Sequence, residues 1–355
     1  MSSTLLFYCR PGFENDVRQE WSGRYSEDGR WESGDGYALL HLQQTPPPEA
    51  LDAANWIFAR QVLSVLGQVK LGERDRLSPI LALLDTLPAG QRGPWSAAWL
   101  EHPDSDAGKP LSGFCRRFTP ILEKALGERG LLLDNAKAPR LHLFFTALDQ
   151  AWIATTDPRH ASPWPLGVPR VRMPSEAPSR STLKLAEAFM TLVPDADDRL
   201  KPGMVGVDLG AAPGGWTYQL VARGLKVFAI DNGPMKGNMA IHPHVKHLRE
   251  DGFRFRPQHP VDWLVCDMVE QPVRIAKLIA DWFVQGQTRH AVFNLKLPMK
   301  KRWLEIERCF GLIEGALDEA GLRYTLCAKQ LYHDREEITC YLALTRSEQA
   351  RRRRR

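Results

Sequence analysis

Residues 206–220 read GVDLGAAPGGWTYQL, an acid followed by a glycine-rich turn and the start of a helix. Such a turn lets backbone approach a nucleotide closely, because glycine carries no Cβ and reaches positive φ at little cost. A dinucleotide fingerprint needs G-x-G-x-x-G, with the helix N-terminus on the pyrophosphate. Here the glycines stand at 210, 214 and 215 and Pro213 interrupts them, so that spacing fails. A nucleoside lacking a pyrophosphate fits better, and S-adenosylmethionine (SAM) is one: adenosine with an amino-acid end and no phosphate. The next two apolar runs also end in acids, Asp231 and Asp251. The first can accept the ribose hydroxyls and the second the adenine amine, since a carboxylate only accepts. Glycine pairs and strand-end acids are also ordinary turn chemistry; recurrence at three successive run ends is what favours a ligand.

Those residues need a frame. VGVDLG (205–210), KVFAID (226–231), HVKHLRED (244–251), VDWLVCDM (261–268) and HAVFNLKLP (290–298) are apolar runs. Helical stretches at about 215–223, 272–286 and 300–320 alternate with them. Continuous apolar strands separated by helices predict a parallel sheet covered on both faces. RYTLCAKQLY (323–332) and EEITCYLALT (336–345), joined by HDRE, read as a hairpin closing that sheet. The expected fold class is therefore α/β, a Rossmann-like domain with a seven-stranded, mostly parallel sheet over residues 181–348. A proline-rich linker (161–180) precedes it and a basic tail (349–355) follows. The earlier residues mix alternating runs with amphipathic patterns, which is α+β material, and divide into units 1–60 and 61–160.

Composition narrows the classes. No run of eighteen apolar residues occurs and the N-terminus lacks a basic leader with a cleavage site, so a membrane span and secretion are not expected and the cytoplasm is. The six cysteines (9, 115, 266, 309, 327, 340) never fall at CxxC spacing, so neither zinc nor any other metal is expected and the thiols suit a reducing compartment. Net charge is +5 and the chain ends in Arg351–Arg355. That tail is either a phosphate-seeking arm or a solvated end. No heptad pattern signals an obligate protein partner.

DLGAAPGGWT resembles the first motif of the FtsJ-type ribose 2′-O-methyltransferases, D-L-G-x-x-P-G-G-[WF]. The resemblance implies a SAM site built from Ser181, Asp208, Gly210, Ala212, Pro213, Gly214, Gly215, Trp216, Thr217, Asp231, Asp251 and Asp267. It also implies a Lys-Asp-Lys-Glu tetrad, matched by Lys184 in SRSTLKLAEAF, Asp267 in CDM, Lys296 in FNLKLP and Glu337 in REEITCYL. Glu336 stands beside Glu337 as an alternative, and a surface ion pair with Glu187 competes for Lys184. The chemistry is an in-line displacement at a sulfonium carbon in which a ribose 2′-hydroxyl loses its proton. Lys296, as the base, must be neutral to take that proton, against a reference pKa of about 10.4. Burial and a second cation, Lys184, push it down, whereas Asp267 and Glu337 alone would raise it. An amino-group enzyme favours [DN]-P-P-[YFW] after the fourth strand, where this chain reads DMVEQP. Cys266 lies inside an apolar run, as a core residue would.

In the N-terminal half, LHLFFTALDQAWIATTD followed by PWPLGVPRVRMP looks like a THUMP domain, an RNA-binding module, with a small ferredoxin-like unit before it. This domain order is similar to that of a bacterial family of 23S rRNA ribose 2′-O-methyltransferases. The resemblance implies 23S rRNA as the partner, as naked RNA or an early precursor, and a cytidine (2498 in that family's usual description) as the target. Another RNA such as tRNA, or a non-catalytic RNA-binding role, stays open. Arg116, Arg117, Lys124, Arg129, Lys137 and Arg140, with Trp95 and Trp99, make either an RNA-facing patch or a charged helix face.

Overall fold

The computed structural model describes residues 3–25 and 29–345, and the chain divides after Val168 into two compact units. The division lies in the proline-rich stretch; Arg351–Arg355 lie outside the described residues. Among the described residues no helix is long and apolar enough to cross a membrane.

The first unit runs β1 (Ser3–Cys9), α1 (Glu14–Arg24), β2 (Arg30–Gly34), β3 (Tyr37–Leu42), β4 (Ala59–Lys70), α2 (Leu77–Thr86), β5 (Ala98–Glu101), α3 (Lys109–Glu128), β6 (Arg140–Ala147) and β7 (Gln150–Thr156). They form one sheet in the order β2-β3-β1-β4-β7-β6-β5. The division expected at residue 60 falls inside β4. That strand is twelve residues long; Ala59–Ser64 pair with β1, and Ser64–Lys70 pair with β7. One strand long enough to serve two neighbours in succession joins what the patterning separates. Trp95 is 2% exposed and packs in the core with Ile80, Leu122 and Phe145. Arg140 stacks over Trp99 at 3.6 Å, and Arg129 pairs with Asp85 at 3.0 Å. Trp95, Trp99 and Arg140 of the expected basic–aromatic patch are thus occupied by packing within the fold, while Arg116, Arg117, Lys124, Arg129 and Lys137 are exposed.

The second unit runs α4 (Ser181–Thr191), α5 (Ala196–Arg199), β8 (Val205–Leu209), α6 (Gly215–Val221), β9 (Lys226–Ile230), β10 (Val245–Leu248), β11 (Val261–Cys266), α7 (Pro272–Val284), β12 (Thr288–Lys296), α8 (Arg302–Glu319), β13 (Tyr324–Lys329) and β14 (Glu337–Leu344). Its sheet order is β10-β9-β8-β11-β12-β14-β13. The first five strands are parallel and the closing hairpin antiparallel, as expected for a Rossmann-like methyltransferase domain. β8 lies between β9 and β11, so the chain leaves it toward opposite edges, and the crevice beyond such a switch point is where open α/β sheets bind ligands.

Helices α4 and α6 pack together, and the contact depends on a missing side chain. A Cβ on Gly215 would fall onto the hydroxyls of Ser181 and Ser179, and Thr182 Oγ1 donates to the Gly215 carbonyl at 2.9 Å. Behind this contact Leu185, Phe189, Trp216, Leu220 and Trp263 share one core. Gly215→Ala is therefore expected to lower stability by about 1–3 kcal/mol through overpacking, measured by urea denaturation; an unchanged midpoint would show that α4 is not tightly seated on α6.

Candidate active site

Pairing of β12 with β14 sets Lys296 opposite Glu337 and Asn294 opposite Thr339. The two-residue period of a strand turns all four side chains to one face. Asp267 follows β11, the other neighbour of β12. Lys184 enters from the first turns of α4. Lys296 Nζ lies 2.6 Å from Asp267 Oδ1 and also contacts Glu337 Oε2. Lys184 Nζ contacts Glu337 Oε1 and stands 3.9 Å from Asp267 Oδ2. Each carboxylate gives one oxygen to each ammonium. Two positive and two negative charges balance, which lets all four side chains sit only 7–24% exposed.

The neighbouring acids have other work. Glu336 points away and pairs with Arg302 Nη2 at 2.6 Å; strand alternation makes Glu337 the one that meets the lysines. Glu187 does not pair with Lys184. It is buried, and its Oε1 accepts the Tyr332 N–H at 2.8 Å, which ties α4 to the β13–β14 turn.

Burial pulls the Lys296 pKa down, but the attraction of Asp267 and Glu337 outweighs it and the net shift is upward. The expected depression is absent because Lys184 faces Lys296 across two carboxylates, both of which contact Lys296 directly. In Glu337, burial raises the pKa and the two lysines lower it further, for a net fall. The network thus holds both residues in their charged forms.

A cleft of about 380 Å³ opens beyond the ends of β8 and β11, a volume within the usual range for a small-molecule site. Gly210, Ala212, Asp231, Asp251 and Asp267 line it, together with Asn232, Phe253, Met268 and Val269, which sequence reasoning did not single out. Apolar residues two positions after a strand-end acid, Phe253 after Asp251 and Val269 after Asp267, were the available signal. Asp231 Oδ2 accepts the Ala212 N–H at 3.0 Å and Oδ1 accepts the Gly233 N–H at 2.7 Å, which fixes the carboxylate and leaves lone pairs free. Gly210 has φ +79°, and a Cβ there would come 2.8 Å from Met268. Asp208, Trp216 and Thr217 are buried beneath the loop rather than lining the cleft. Asp208 Oδ2 accepts from Thr217 Oγ1 at 2.6 Å, so it anchors α6, and burial pushes its carboxyl up to about 7. Ser181, Pro213, Gly214 and Gly215 shape the α4–α6 junction and the loop behind the cleft.

Two family profiles match: the FtsJ-like methyltransferase over residues 177–317, and the N-terminal domain of ribosomal RNA large subunit methyltransferase M over residues 75–156. The ribosomal RNA large subunit methyltransferase M of Laribacter hongkongensis is 51% identical, with 97% of each chain covered. The chain belongs to this family. Proteins of the same description from Azoarcus sp. (49%, 96% of each chain) and Xanthomonas campestris (48%, 95% of this chain and 98% of the relative) agree along nearly the whole length. The protein is a methyltransferase and its cofactor is SAM. The cleft fits that cofactor: the Asp231 and Asp251 carboxylates line it as hydrogen-bond acceptors, and Gly210 contributes backbone without a Cβ to its wall.

Removing one anion unbalances the cluster. Glu337→Gln leaves both ammoniums facing Asp267 and is expected to cost about 2 kcal/mol at pH 7, whereas Glu336→Gln stays within about 0.5 kcal/mol. Glu337, whose folded pKa is depressed, stabilises above its unfolded value of about 4.3 and loses that contribution as pH falls through its folded value. Lys296, whose folded pKa is raised, stabilises below about 10.4 and loses that contribution as pH rises through its folded value. Urea midpoints from pH 3 to 11 should therefore show both limbs in wild type and a diminished acid limb in Glu337→Gln; identical acid limbs would contradict the assignment.

Proposed function

We propose that this protein methylates a ribose 2′-hydroxyl of 23S rRNA, with Lys296 accepting the hydroxyl proton. The observation that carries the reading is that Asp267 both lines the cofactor cleft and holds Lys296, so donor and base share one residue. SAM supplies a methyl group on a positively charged sulfur. Asp231 accepts the cofactor's ribose hydroxyls, Asp251 its adenine amine, and the backbone at Gly210 and Gly214 admits its amino-acid end.

Bound there, SAM would supply its methyl group to the 2′-oxygen in line while sulfur keeps the bonding electron pair, and Lys296 Nζ would take the 2′-hydroxyl proton on its lone pair. Lys296 must first lose its resting proton, and a side chain 24% exposed leaves that proton a route to solvent. The Lys184 ammonium and the positive charge of the sulfonium both favour the neutral amine. A positioned base contributes about 10²–10⁴-fold, and alignment of hydroxyl and methyl supplies much of the remainder. Glu337 and Asp267 keep the two ammoniums from drifting apart.

The names of the relatives support ribosomal RNA of the large subunit as substrate. The N-terminal unit, read as a THUMP-like RNA holder, presents exposed Arg116, Arg117, Lys124 and Lys137 to phosphates. Naked or early precursor 23S rRNA is the reachable form, with a cytidine (2498 in the family's description) as target, because a nucleotide buried in a finished subunit cannot enter a cleft. Mapping ribose 2′-O-methylation across 23S rRNA and tRNA, from cells with and without this protein, tests the assignment. Loss of one 23S mark is expected; loss of a tRNA mark alone would redirect the substrate, and no change in either RNA would overturn the reading.

A further inference from the structure

Beneath the tetrad lies a second row of side chains that the chemistry above does not use. Asn294 Nδ2 donates to Asp267 Oδ1 at 2.8 Å and reaches Glu337 Oε2 at 3.5 Å. Thr339 Oγ1 lies 2.7 Å from Asn294 Oδ1, and also 3.1 and 3.3 Å from the two oxygens of Asp334. Asp334 Oδ2 accepts the Leu331 N–H at 2.9 Å. Asn294, Thr339 and Asp334 are all fully buried.

Counting protons gives this row a direction. Asp267 and Glu337, whose oxygens are paired with the two ammoniums, accept, so the Asn294 amide must turn its NH₂ toward them and its oxygen toward Thr339. That oxygen needs a donor, and the single hydroxyl proton of Thr339 supplies it. Thr339 then has no proton left for Asp334. Two acceptors at 3.1 Å in a buried setting would repel, so the contact requires a proton on Asp334.

We propose that Asp334 is a neutral carboxylic acid heading a one-way chain, Asp334 to Thr339 to Asn294, and that Asn294 is a positioning residue aiming Asp267 and Glu337 at Lys296. The surroundings agree. Burial, then the charge of Glu337, raises the Asp334 pKa well above the carboxylate range; Glu187 adds to this, while Lys184 and the Leu331 N–H oppose it. The inference rests on the proposed role of the tetrad.

Two conservative pairs test it, with the full chain methylating a 23S rRNA transcript from labelled SAM. Thr339→Val removes the relay's proton and Thr339→Ser keeps it; Asp334→Ala removes the acid and Asp334→Asn replaces it with a neutral donor. Residues that orient the ligands of metal sites are worth about 10–100-fold, and the same scale is expected of a chain that orients Asp267 and Glu337. Thr339→Val and Asp334→Ala should lose about that much kcat, with KM for SAM nearly unchanged, and Thr339→Ser and Asp334→Asn should recover most of it. Asp334→Asn as damaging as Asp334→Ala would mean the acid works as a carboxylate, and a near-normal Thr339→Val would mean the chain positions nothing. If Asp334→Ala fails to fold, difference infrared spectra at pH 8 still decide: a protonated-carboxyl band present in wild type and lost in Asp334→Asn is expected, and its absence overturns the proposal. Lys296→Ala is the control: activity there would defeat the tetrad's role itself, whereas an inactive Lys296→Ala beside a near-normal Thr339→Val defeats only the relay.

Discussion

Lys296 and Glu337 face each other across one antiparallel strand pair, and the rest of the site hangs on that register. A slip of one residue would carry Glu337 to the outer face and bring Glu336 inward, since strand side chains alternate. The same pairing places Asn294 on Thr339, so the charged layer and the neutral layer below it come from one register. Asp267 arrives from the neighbouring strand and Lys184 from a helix, closing a cluster in which no charge lacks an opposite partner. Breaking such a cluster on one side costs more than the intact cluster contributes, because the remaining charge is left without compensation.

The cluster also borders the cleft. Asp267 stands at the end of β11, at the point where strand order reverses, and so belongs to the cleft as well as to the lysines. The glycine loop on the other side of the switch point lets backbone approach at Gly210, while Gly215 lets α4 dock and so brings Lys184 within reach. The loop therefore shapes the cleft and the seat of Lys184 at once.

Much of this was legible in the residues. Strands capped by acids revealed the sheet and the edge at which its cleft opens, and the four charged positions that the structure brings together were all named from motifs. Other features were hidden because they depend on pairing between distant segments. Asn294, Thr339 and Asp334 are unremarkable polar residues until the β12–β14 register stacks them. Asp208 and Trp216 belong to the motif yet face the core, since a residue type shows what a side chain can do and not which way it points. The sign of the Lys296 shift turned on geometry: burial alone would lower it, but carboxylates in direct contact prevail. The boundary expected at residue 60 vanished because β4 is long enough to pair with β1 and β7 in succession.

The central claim is that this cluster governs the proton on Lys296. Its most direct test is the pH dependence of single-turnover methyl transfer at saturating SAM, in wild type and in Lys184→Gln. The rate should rise with pH as Lys296 deprotonates, and loss of the neighbouring cation should move that limb to higher pH. A rate independent of pH, or a limb unmoved by Lys184→Gln, would contradict it.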